Sequence, residues 1–121
     1  MIRVGLILPE DNIHSIQISF SDTQCFEIET IDRSHPSFEN SDQLSLRIVD
    51  GNLVIPELKF KDTVLKIIPS ISQDDLFITI DGILAGRGFH WEKKISASYW
   101  GILEFCVSNG KMMAVNELPL E

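Results

Sequence analysis

Apolar residues recur at every second position along most of this chain. Ile16, Ile18 and Phe20 alternate with Gln17, Ser19 and Ser21; Phe26 and Ile28 alternate with Glu27 and Glu29; Leu44, Leu46 and Ile48 alternate with Ser45 and Arg47. A period of two sends one set of side chains to a core and the other to water, which is the behaviour of a strand. The runs at residues 2–8, 64–68 and 76–80 are apolar on both parities and predict more central strands. Composition leans the same way. Alanine occurs only as Ala85, Ala97 and Ala114, while isoleucine is the commonest apolar residue. Alanine is the best helix former, whereas β-branched side chains fit a pleated surface better than a helix.

The breaks between these runs fit hairpins. Asp50-Gly51 separates residues 44–49 from 53–55, and Asn109-Gly110 separates 102–108 from 111–116. Such pairs supply the two positive φ angles of a type I′ turn. Residues 31–42 and 70–75 are polar and read as a loop and a turn. Gly86-Arg87-Gly88 lacks the spacing of a phosphate-binding loop and reads as a bulge or tight bend. The expectation is an all-β domain of about nine or ten short, mostly antiparallel strands. It would form a sandwich or partly open barrel ending in the Asn-Gly hairpin. With 121 residues the chain suits one domain able to bury a core without a staple.

Charge narrows the partners. Ten basic against 18 acidic side chains give a net charge of −8. A phosphate backbone or an anionic lipid surface repels that balance, so no nucleic-acid partner is expected. No signal peptide and no membrane-spanning apolar stretch is visible in the sequence. Cys25 and Cys106 lie in strand-like runs and outside any C-x-x-C pair, which excludes zinc ribbons and thioredoxin motifs. Two buried thiols is the simpler reading, and a single disulfide stays open.

Templates for catalysis fail. There is no G-x-S-x-G, and His14, His35 and His90 are scattered without metal-ligand spacing. No cofactor or metal is expected. Glu27 with Glu29, and Asp74 with Asp75, are the only carboxylate pairs worth weighing. The first faces solvent from a strand and the second sits in a turn. One segment is richer. Phe89-His90-Trp91-Glu92-Lys93-Lys94 is followed closely by Tyr99-Trp100-Gly101. His90, Trp91, Glu92, Tyr99 and Trp100 are therefore the candidate binding residues, for a glycan or for a partner protein. Aromatic rings beside polar groups suit both sugar faces and protein hot spots. The competing reading makes Trp91 and Trp100 core residues of adjacent strands. A self-contained enzyme would instead have to gather His90 with Glu104 or Glu117.

The stretch from Phe89 to Lys94, then Tyr99-Trp100-Gly101-Ile102-Leu103-Glu104-Phe105, then Asn109-Gly110-Lys111 through Val115-Asn116-Glu117-Leu118-Pro119-Leu120-Glu121, resembles the stage II sporulation protein D family, which includes the amidase enhancers of bacterial autolysins. The F-H-W-E-K-K form looks like the variant of Bacteroidetes-type members, and Ile2-Arg3-Val4-Gly5-Leu6 is similar to their first strand. The resemblance lies mainly in residues 89–121. It implies a cell-envelope protein acting on peptidoglycan, with lytic transglycosylases among its relatives. It places the catalytic glutamate beyond Glu121, at no position of this chain; Leu120-Glu121 is either native or a cloning remnant. On that reading the chain is the N-terminal β-domain of a longer protein, itself without a catalytic residue. Its partners would be glycan strands or the protein's own C-terminal catalytic region. The alternative is a carbohydrate-binding or protein-interaction β-module.

Overall fold

The computed structural model describes residues 2–22, 26–30, 43–56, 60–69, 76–86, 89–90 and 92–118. Eleven strands run in order: β1 (Ile2–Ile7), β2 (Ser15–Phe20), β3 (Phe26–Thr30), β4 (Gln43–Val49), β5 (Asn52–Ile55), β6 (Phe60–Asp62), β7 (Val64–Pro69), β8 (Ile78–Ala85), β9 (Lys93–Tyr99), β10 (Ile102–Ser108) and β11 (Lys111–Leu118). A 3₁₀ turn at Pro9–Asp11 links β1 to β2.

The strands form two antiparallel sheets, ordered β1-β11-β10-β7-β3 and β6-β5-β4-β2-β8-β9, packed as a sandwich with no closed barrel. The period-two residues line its interior. Ile28, Leu65, Ile67, Leu103 and Phe105 come from one sheet, and Ile18, Leu44, Leu46, Ile78 and Ile80 from the other; none is more than 1% exposed. Each such side chain contributes about 1.5–3 kcal/mol on burial. That interior holds the sheets together without a cross-link, since Cys106 is a free, half-buried thiol. The disulfide left open by the sequence is not formed. Cys106 stands not in the core but on the outer face, in register with Val64 and Met113. Cys25 lies outside the described residues.

Both hairpin signals are realised. Asp50 and Gly51 have φ of 51° and 77°, and Asn109 and Gly110 have 51° and 76°. The strands they join pair directly, with Val49 opposite Asn52 and Ser108 opposite Lys111. The eleven strands include three-residue β6, which carries no alternating pattern. Gly86, with φ 73°, takes the tight bend that its sequence suggested, while Arg87-Gly88 lies outside the described residues. β8 has its bulge at Gly82 (φ 114°), where pairing with β9 shifts between Asp81 and Ile83. One expectation needs correction: β1, apolar on both parities, is an edge strand rather than a central one.

Candidate functional site

The five candidate residues do not form one site. β9 is extended between them, and seven residues of strand span about 20 Å. At one end of β9, Gly86, Phe89, His90 and Glu92 lie on the connection from β8. Phe89 donates its N–H to the Gly86 carbonyl at 2.9 Å, and Glu92 donates to the Phe89 carbonyl at 3.1 Å. Phe89 is 62% exposed, and His90 and Glu92 are exposed with it. Trp91 lies outside the described residues. At the other end, Tyr99 and Trp100 lead the chain out of the six-stranded sheet and into β10 of the other.

The crossover end is the better built of the two. Tyr99 pairs with buried Ile78 and packs its ring against the core. Trp100 is 48% exposed, so the core reading fails for this tryptophan. Its ring lies 5.9 Å from that of Phe77, tilted by 50°. Gly101 adopts φ +85°, and a Cβ there would collide with the Glu117 carbonyl oxygen. The turn is therefore pressed against β11, and only glycine fits it. Buried Asn116 fastens it further. Its Nδ2 donates to the Trp100 carbonyl at 2.7 Å and to the Ile102 carbonyl at 3.1 Å. A half-exposed indole thus sits on a backbone that β11 bonds through Asn116 and meets closely at Gly101.

A second cluster was missed in the sequence. On the outer face of the five-stranded sheet, Arg3 of β1 donates to Glu104 at 2.8 Å and to Glu117. The register continues the row, with Glu104 opposite Lys66 and Lys66 opposite Glu29. Alternating signs across neighbouring strands stabilise a sheet modestly. Nothing local in the sequence pairs Arg3 with Glu117, which lie 114 positions apart. Hydrogen bonding to Glu104, with help from both carboxylates, raises the Arg3 pKa above its ordinary value. Burial, and next the Glu104 charge, push the Cys106 thiol up.

These placements separate the pairings that an enzyme would need. His90 stands at a hairpin tip of the six-stranded sheet, whereas Glu104 and Glu117 face outward from the other sheet. Glu27 is exposed on β3, as its alternation requires, and Asp74-Asp75 lies outside the described residues. Among the described residues no three His, Cys, Asp or Glu side chains are grouped to hold a metal ion, and no helix is long and apolar enough to cross a membrane.

Compared with protein-family models, curated proteins and solved structures, the chain finds no match.

Proposed function

We propose that this sandwich is a docking module that presents Trp100 to a partner protein, and that it serves as the supporting part of a stage II sporulation protein D-like cell-wall protein acting on peptidoglycan. The observation that carries the docking reading is the mounting of Trp100: half exposed, yet fixed by Gly101 and Asn116 against β11. An indole held in place loses little further freedom on binding, which is why such side chains dominate protein hot spots. The cell-wall setting is supported by the sequence pattern of residues 89–121. In that setting the catalytic carboxylate belongs to another region, which would protonate the leaving glycosidic oxygen.

Glycan binding is the second reading, because an exposed indole also suits a sugar face. Phe77 tilts 50° from Trp100, so the two rings do not extend each other as a flat platform. Isothermal titration with denuded glycan strands separates the readings. No heat is expected. Heat that disappears in Trp100→Ala would replace protein docking by glycan binding, and turnover of the glycan by this chain would overturn the supporting role. The codons after 121 test the setting: a Tyr-Leu and Glu-Met continuation supports the family, and its absence removes that support.

A further inference from the structure

The two halves of β1 are held differently. Ile2, Arg3, Val4 and Gly5 are all exposed, whereas Leu6 and Ile7 are buried in the core. Between the halves the register with β11 shifts, from Gly5 to Ile7, which marks a bulge. Residues 2–5 pair with β11, and Arg3 adds charge to that pairing. One guanidinium nitrogen donates to Glu104 of β10 at 2.8 Å and the other to Glu117 of β11, so a single side chain ties three strands. The two carboxylates are unequal. Glu104 is partly in water, whereas the Glu117 side chain is 7% exposed. A buried carboxylate is strongly destabilised when its cation is removed.

The stretch of β11 beside this segment is also the one that mounts Trp100. Ile2, Arg3 and Val4 stand opposite Leu118, Glu117 and Asn116. Asn116 bonds the Trp100 carbonyl, and the Glu117 carbonyl meets Gly101. We propose that residues 2–5 are a strap, hinged at the bulge and latched by Arg3, which opens while the sandwich stays folded and which keeps the Trp100 mount rigid while it is closed. Arg3 is then a positioning residue that acts through Glu117 and its neighbour Asn116. A segment with few buried apolar contacts opens locally at less cost than the whole domain. The bulge confines the opening, because residues 6 and 7 stay in the core. With the strap open, the Glu117 carboxylate reaches water, and Asn116 and Glu117 lose the strand that steadies one side of them. What the latch would govern rests on the docking reading of Trp100. Its test involves no partner, so failure of that reading leaves the test standing.

Hydrogen exchange of the full chain at increasing low urea, followed by NMR, tests the strap. Amides of residues 3–5 should exchange at rates nearly independent of urea, whereas those of Leu103 and Phe105 should follow global unfolding. Arg3→Gln should speed strap exchange roughly tenfold or more, since Glu117 then stays buried without its cation until the strap opens. Glu104→Gln should act in the same direction but less, because that pair is partly solvated. Arg3→Gln combined with Glu117→Gln removes the stranded charge and should restore most of the protection, a rescue that lost packing alone would not give. The order parameter of the Trp100 indole N–H reads the coupling: it should fall in Arg3→Gln and recover in the double variant, with circular dichroism showing each variant folded. Strap amides of the parent chain that exchange only through global unfolding overturn the proposal. So does a Trp100 order parameter that Arg3→Gln leaves unchanged, or a double variant without rescue.

Discussion

At the crossover end of β9, Tyr99 rests on the core, Gly101 presses on β11 and Asn116 binds two carbonyls. At the hairpin end, Phe89 and His90 stand in solvent above a turn closed by two backbone hydrogen bonds. The two ends carry similar side chains. What separates them is the bonding that each shows. The crossover is held by a side chain of the opposite sheet, whereas the tip shows backbone bonds joining Gly86, Phe89 and Glu92. An aromatic residue becomes a rigid recognition feature where long-range contacts fix its backbone.

The comparison is sharpest at Gly101. Gly101→Ala forces a side chain onto the Glu117 carbonyl at positive φ, and a loss of about 3 kcal/mol is expected in urea unfolding. A loss below a third of that would show that the turn can move off β11. Asn116→Ala leaves the Trp100 and Ile102 carbonyls without this donor and should cost about 2 kcal/mol by the same measurement. Trp100→Ala should cost about 1 kcal/mol, since half of the ring is already in water. Phe89→Ser at the tip should stay within about 0.5 kcal/mol of the parent. If Phe89→Ser matches Asn116→Ala, the contrast between the ends collapses.

A chemical probe sharpens the outer face of the other sheet. Burial and Glu104 raise the Cys106 pKa, so its thiolate is scarcer than usual near neutral pH. In a Cys25→Ser background, iodoacetamide should label Cys106 slowly, with the rate still climbing above the ordinary thiol range. A rate that levels off below that range would mean that the electrostatics of this face have been misread.

Local patterns carried most of the fold. Alternation at Ile16, Ile18 and Phe20 placed those residues inside, and Asp50-Gly51 and Asn109-Gly110 marked their turns, because each depends on a few adjacent residues. What stayed hidden is non-local. The nearness of Phe89 to Trp100 in sequence suggested one aromatic patch, but a strand converts a short sequence interval into a long distance. Arg3 meets Glu104 and Glu117 only because β1 pairs with β11 and β11 with β10, a choice that no short motif records. The apolar run of β1 named the kind of strand correctly and its place wrongly. An apolar run on both parities does not record whether a strand lies at the centre or at the edge of its sheet. Within the candidate site, residue types were legible, whereas mounting was not: the partner that holds Trp100 is Asn116, which reads as an ordinary strand residue.

The pairing of β1 with β11 also sets a timetable. β1 is made first, yet its neighbour is residues 111–118. At typical synthesis speeds it waits roughly ten seconds for a partner. Contacts this distant in sequence make a sheet slow to close. Through that interval Ile2 and Val4 lack the strand that pairs with them among the described residues, so β1 depends on being shielded until β11 arrives.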